Sequence, residues 1–210
     1  EFNVGHPLMW QLQQEQARSD LTQFLQAELE RGGSWRPTGF EVWFEDGSAA
    51  VSLEGADVRF RGRIDRIDVN RQETRARVTD YKTGSLRGYK KNRLQGGETI
   101  QLPVYVLAAA ALLDLPPEAV IARYASVTAG AGFKEVLFEG EEWPRAAEEL
   151  RRIVEVVDAG VRRGHFFAYP GPGAENCTYC DYSAVCTAGI ETIAERKAED
   201  PVQSDFHALK

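Results

Sequence analysis

Two short segments constrain this chain more than any others: Gly-Arg-Ile-Asp-Arg-Ile-Asp at 62–68 and Val-Thr-Asp-Tyr-Lys-Thr-Gly at 78–84. Apolar and β-branched residues (Ile64, Ile67, Val69, Val78, Thr79) are threaded between charges, the pattern of strands in a half-buried sheet. A turn over 70–74 joins them into an antiparallel pair. Side chains alternate across a strand, so Asp80 and Lys82 share a face, and Asp65 can join them from the neighbouring strand. Asp68 falls on the opposite face, where it is expected to be structural and paired with an arginine. Two carboxylates and an ammonium meeting at one spot suit a hard divalent cation, which takes carboxylate, water and phosphate oxygens. A lysine beside such an ion can orient water and offset charge developing on a phosphate. Asp-x-Lys alone is weak evidence, because most such pairs are solvated surface charges.

The rest of the chain reads as alternating helices and strands. A helix is expected over 7–31, with Leu8, Leu12, Leu21, Phe24, Leu25 and Leu29 on its buried face, stopped by Gly32-Gly33. Strands follow at 40–44, 49–53, 58–69 and 75–81, with Asp46-Gly47 as a turn. The glycine-punctuated basic stretch 84–97 reads as a loop that is mobile before substrate binds. An apolar helix at 99–115 closes at Pro116-Pro117. Strands at 120–127 and 133–138 precede a helix over 141–164 that turns Ile153, Val154, Val156, Val157 and Val161 inward. Residues 166–176 are irregular, and the polar end, 191–210, reads as loosely held. The order predicts an α/β domain with a central mixed sheet flanked by helices. Residues 1–170 are assigned to the core and 171–210 to a cysteine-bearing tail packed on it.

Charge and cysteine content narrow the function. The net charge of −7 would argue against nucleic acid, but residues 59–93 carry 12 Lys and Arg against 4 Asp and Glu. That local excess of +8 leaves −15 on the remainder, and it coincides with the acidic pair, as a phosphate-contacting surface should. A salt-bridged sheet face is the plain alternative. No apolar run approaches ~18 residues, which excludes a transmembrane helix. The start lacks the basic and apolar regions of a secretory signal, and it lacks Met, as expected for a piece of a longer protein. Cys177, Cys180 and Cys186, an odd number within ten residues, read as metal ligands in a reducing cytoplasm rather than as a disulfide framework.

The ordered set G-R-I-D-R-I-D, D-Y-K-T-G and Gln101-Leu102-Pro103-Val104-Tyr105 resembles the RecB-type branch of the PD-(D/E)XK nucleases. The tail Cys177-x-x-Cys180-x5-Cys186 is similar to that of AddB-like members, which carry an iron–sulfur cluster beside the nuclease core. The resemblance implies a restriction-endonuclease-like core. It also implies Mg2+- or Mn2+-dependent hydrolysis of DNA, expected to be exonucleolytic on single strands, alongside a helicase partner in repair and recombination. The chain has no phosphate-binding G-x-x-x-x-G-K-[ST] motif, hence no motor of its own.

The resemblance also assigns residues. Asp65 and Asp80 are metal ligands, with the backbone carbonyl of Tyr81 as a further oxygen. Lys82 is electrostatic rather than a base, since two adjacent anions oppose lowering its pKa. Gln101 and Tyr105, four apart on one helix, share a face placed over the site. Glu41 matches an acidic position in related nucleases, with an exposed edge-strand glutamate as the alternative. His6 stands where a first-helix histidine ligand is sought, but in Gly5-His6-Pro7 rather than G-x-x-x-H. Arg63, Arg66, Arg87, Lys90, Lys91 and Arg93 are the candidate DNA contacts. A 4Fe–4S cluster at Cys177, Cys180 and Cys186 is one ligand short, as is the alternative Zn2+ site. The rival reading is a catalytically silent DNA-binding or interaction module of a helicase–nuclease complex.

Overall fold

A computed structural model describes residues 6–45, 51–52, 58–178, 180–186 and 189–209. Helix α1 (Pro7–Arg31) starts with proline in its first turn and ends at Gly32, whose φ of 60° suits glycine. It leads to β1 (Arg36–Phe44), the short pair β2 (Val51–Ser52) and β3 (Arg59–Phe60), and the hairpin β4 (Gly62–Val69) and β5 (Ala76–Lys82). Then follow α2 (Gln101–Leu113), β6 (Val120–Ser126), β7 (Glu135–Phe138), α3 (Trp143–Arg163), and the short helices α4 (Ile190–Arg196) and α5 (Ser204–His207).

The main sheet has the order β1-β4-β5-β6-β7. All its pairings are antiparallel except β5 with β6, which is parallel. A parallel neighbour needs a crossover, and α2 supplies it. The β4–β5 turn is closed by Asn70, whose Oδ1 accepts from the Thr74 and Arg75 amides at 2.8 and 3.1 Å. Ile67 faces Val78 across the hairpin, and both are buried.

Helix α2 tolerates Pro103 because it lies in the first turn, and its Ala108–Ala110 run lets it lie close on β5 and β6. It ends at Asp114, in the left-handed conformation, just before the two prolines. Leu150, Ile153, Ala146 and Trp143 of α3 complete the core beside α2.

Several expectations fail here for physical reasons. α1 forms, but Phe24 is its sole buried residue; Leu8, Leu12, Leu21, Leu25 and Leu29 are exposed. The helix touches the sheet only along part of its length. The strand expected over 58–69 breaks at Arg61, and β1 begins earlier than residue 40. Val157 and Val161 of α3 are exposed, because the C-terminal half of that helix borders an open cavity shared with Phe166, Phe167, Val202 and Phe206. Segment 84–97 nonetheless has buried side chains, Leu86 and Leu94, and Tyr89 packs tilted against Tyr124 with ring centres 4.3 Å apart. The polar end also folds back. Phe206 packs against Tyr169 and Phe167, Leu209 lies on the core, and Arg152 donates to the Ala208 carbonyl. The Asp46-Gly47 turn and most of the strand expected at 49–53 lie outside the described residues.

Candidate active site

The β4–β5 ladder stops at Arg66 and Thr79. Beyond it the Asp65 carboxylate takes the place of a strand partner, accepting from the Tyr81 amide at 2.9 Å. The strands are thus bridged by a side chain, and Asp65 is set beside Asp80. Asp80 is 5% exposed. Gln101 of α2 donates to its Oδ1 at 2.7 Å. Its buried Oδ2 forms a salt bridge with Lys82 Nζ at 2.6 Å and has no other partner among the described residues.

One amide organises the site. Gln101 Oε1 accepts from Lys82 Nζ at 3.2 Å, while Nε2 donates to Asp80 and to the Tyr105 hydroxyl, the latter at 2.9 Å. Tyr105 then donates to the Arg63 carbonyl at 2.8 Å. β4, β5 and α2 are therefore tied by one chain of bonds. The Lys82 ammonium also sits 5.0 Å from the centre of the Tyr124 ring. Burial raises the Asp80 pKa most, and the Asp65 charge adds to it; Lys82 and Gln101 pull the other way without prevailing. Burial likewise raises the Tyr105 hydroxyl.

A buried carboxylate oxygen met, among the described residues, only by the Lys82 ammonium, next to a second carboxylate, fits a hard divalent cation. Among the described residues no three His, Cys, Asp or Glu side chains converge on one point. The pair therefore offers two carboxylates as its acidic donors. Glu41 falls at the level of Asp65 in the β1–β4 register, but its φ of 53° goes with an outward carboxylate bound to Arg63 at 2.8 Å. A left-handed glutamate costs ~1–2 kcal/mol. His6 is exposed and caps α1, its ring nitrogen accepting from the Leu8 amide at 3.3 Å. Cys177, Cys180 and Cys186 are free thiols, and among the described residues they are not gathered with other donors into a metal-binding group.

The other side of the hairpin carries a different set. Asp68 is fully buried, gripped by Arg66 at 2.6 Å and by Arg77 at 2.8 and 3.1 Å, as anticipated for a structural acid. Arg66 also donates to the Tyr81 hydroxyl, which engages it away from the Asp80 face. Arg63, Arg87, Lys90, Lys91 and Arg93 are exposed, or nearly so, with Lys91 paired to Glu139. The sequence pattern did not single out Arg123. It is 1% exposed on β6 and bonds Thr79, Glu28 and Glu135, locking α1 behind the strand that carries Asp80. A lone arginine within the apolar run 120–127 was the signal for it.

The profile of the PD-(D/E)XK nuclease superfamily matches residues 2–187, nearly the whole chain and both strands of the site. The chain belongs to the PD-(D/E)XK nuclease superfamily. Its mixed five-stranded sheet flanked by helices is the α/β architecture expected of a PD-(D/E)XK member. The chain is also similar to the B-type subunit of an ATP-dependent helicase/deoxyribonuclease from Clostridium acetobutylicum, 39% identical over 89 residues, which are 39% of this chain and 8% of the relative. The protein of the same name from Ruminiclostridium cellulolyticum is 40% identical over 83 residues, 36% of this chain and 7% of the relative. The matches thus span less than a tenth of those relatives.

Proposed function

We propose that this domain hydrolyses DNA phosphodiesters with Mg2+ or Mn2+ held by Asp65, Asp80 and the Tyr81 carbonyl. The buried Asp80 carboxylate beside Asp65, with the Lys82 ammonium 2.6 Å from its Oδ2, carries this reading. Bound there, the cation supplies Lewis-acid polarisation of a phosphoryl oxygen and makes the attacking water more acidic. The chain's own groups do the rest. Lys82, fixed by Asp80 and Gln101, faces the charge that develops on the phosphate. The amide orientation of Gln101 is set by one acceptor and two donor bonds, so it can position water or phosphate without reorganising. Tyr105 holds Gln101 and the β4 backbone in register, and its raised pKa keeps it a donor.

The substrate we propose is single-stranded DNA, cut exonucleolytically, with a separate or fused helicase as partner in repair and recombination. The names of the two relatives, both helicase/deoxyribonuclease subunits, support DNA as the substrate and a helicase as the partner. Arg63, Arg87, Lys90, Lys91 and Arg93 would contact phosphates, and the work would be cytoplasmic. Among the described residues no helix is long and apolar enough to cross a membrane. An iron–sulfur or zinc centre at the three cysteines would need a fourth ligand that no described residue brings to them.

The test is digestion of end-labelled single-stranded DNA with Mg2+ or Mn2+ by this chain, Asp80→Ala and Lys82→Ala. Metal-dependent cutting lost in both variants supports the reading. Binding without cutting by any form supports the silent module instead.

A further inference from the structure

A hollow beside the Lys82 end of the sheet has no task in the chemistry above. Its volume is about 570 Å3, and Leu86, Arg87, Gly130, Gly132, Lys134 and Val136 line it. Its place relative to the site follows from strand register. Lys82 lies opposite Ser126 in the parallel β5–β6 pair, and the Ser126 amide donates to the Lys134 carbonyl at 2.9 Å. Tyr124 lies opposite Val136 in the β6–β7 pair. Residues directly opposite across paired strands share a face. The Lys82 ammonium sits 5.0 Å from the centre of the Tyr124 ring. Lys82, Tyr124, Val136 and Lys134 are therefore on one face, the face of Asp80 and α2. Lys134 stands two strand spacings from Lys82, about 10 Å between Cα atoms. Glu135 alternates to the opposite face, where Arg123 and Arg31 take its carboxylate.

The walls of the hollow are held in place. Asp20 of α1 accepts from the Ala129 amide at 3.1 Å, and Phe133 packs on Phe24. Thr128 and Ala129 carbonyls accept three backbone bonds that close the turn between them and Phe133. On the other side Leu86 is buried. The rim is positive: Arg87 and Lys134 are exposed, and neither has an ion pair among the described residues. Arg63 and Lys91, by contrast, are paired with Glu41 and Glu139. Two unneutralised cations over the apolar side chains of Leu86 and Val136 suit a ligand that joins a phosphate to a flat, weakly polar body.

We infer that this hollow is a subsite for the nucleotide next to the one whose phosphate lies at Asp65 and Asp80, with Arg87 and Lys134 on its phosphate and Leu86 and Val136 against its base. This rests on the nuclease reading above. A paired base would first have to leave its stack to enter, so the subsite favours single strands. Nothing in it reads base edges, so it is tolerant of sequence.

The experiment measures binding of fluorescein-labelled oligothymidine by anisotropy at several salt concentrations, in Asp80→Ala protein so that no strand is cut. Lys134→Ala and Arg87→Ala should each weaken binding about threefold or more and flatten the slope of log K against log salt by about 0.7, the share of one phosphate. Gly130→Leu should weaken binding about tenfold and leave that slope unchanged, because it fills the hollow without removing charge. A Cβ at Gly130 meets nothing within 4 Å, and its backbone is outside the left-handed region, so melting temperatures should match the parent's. One phosphate of the strand is then replaced by a neutral methylphosphonate, position by position. At one position the loss seen in the parent should vanish in the Lys134→Ala background. Unchanged affinity in all three variants, with cutting by the unmutated chain intact, overturns the subsite and leaves the nuclease reading standing. Weaker binding by Lys134→Ala at full salt slope, or methylphosphonate losses identical in both backgrounds, overturns it too. Absence of both binding and cutting by the unmutated chain brings down the nuclease reading, and this inference with it.

Discussion

Arg123 on β6 grips Glu28 on α1 with two nitrogens, at 2.6 and 3.1 Å, across 95 residues of chain. Glu135 and Thr79 take the rest of the guanidinium. Burial alone would raise the Glu28 pKa, but Arg123 and then Arg31 reverse this and hold it at about 2 instead of the ordinary 4.5. A depressed folded value means stabilisation that is complete above about 4.5 and is lost as pH falls through about 2. Its size is ~3 kcal/mol. Urea unfolding of the parent and Glu28→Gln should therefore differ by about that amount at pH 6, with the gap closing toward pH 2. Parallel pH profiles would show that the pair contributes nothing.

Asp65 and Asp68 stand three residues apart on one strand and should respond in opposite ways. Asp68 is buried between two arginines, so Asp68→Ala leaves both charges uncompensated and should cost ~3–5 kcal/mol. Its cutting rate per folded molecule should hold. Asp65→Asn keeps an oxygen for the Tyr81 amide and should cost under ~1 kcal/mol. Cutting should nevertheless fall about a hundredfold or more, as loss of several kcal/mol of transition-state stabilisation requires. Chemical denaturation beside single-turnover cleavage checks both.

These two acids also mark what the sequence could carry. The hairpin was legible because its alternation of apolar and charged residues has a period of two, and that period alone puts Asp65 with Asp80 and sends Asp68 to the back. Helical spacing put Gln101 and Tyr105 on one face, and the family resemblance was what set that face over the acids. The Arg123–Glu28 pair was not legible, since strand and helix patterns say nothing about which distant charges meet. Arg66 reads as a phosphate contact in a basic stretch, yet Asp68, two residues away, claims it. The leucines of α1 have helical periodicity, but periodicity does not say whether a partner covers them, and here most are exposed.

Asp80 should be a case in which the site costs the fold stability. Burial and Asp65 raise its pKa despite Lys82. A raised folded value makes the native state prefer the proton, so the penalty grows as pH rises through that value. In the absence of divalent metal, Asp80→Asn should melt higher than the parent at pH 8, with the difference shrinking on acidification. Mn2+ at about 100 times its Kd should then add ~2.7 kcal/mol to the parent and little to the variant. Thermal melts with and without Mn2+ decide it. A variant that melts lower than the parent at pH 8 would mean that the Lys82 contact outweighs desolvation.

Tyr105 should matter through position rather than proton transfer. Its hydroxyl receives Gln101 and donates to Arg63, and burial moves its pKa up, away from the working range. Tyr105→Phe leaves the Arg63 carbonyl and one Gln101 N–H without that partner, a loss of ~1–2 kcal/mol in stability. Gln101 is then free to rotate away from Lys82 and Asp80, so kcat should drop about tenfold, equivalent to 1.36 kcal/mol. KM should change less than kcat, because the phosphate contacts remain. The pH–rate profile should keep its shape, only lower, since no titrating group has been removed from the working range. Loss of the alkaline limb in Tyr105→Phe would instead make this hydroxyl an acid or base, and the positioning role would fall.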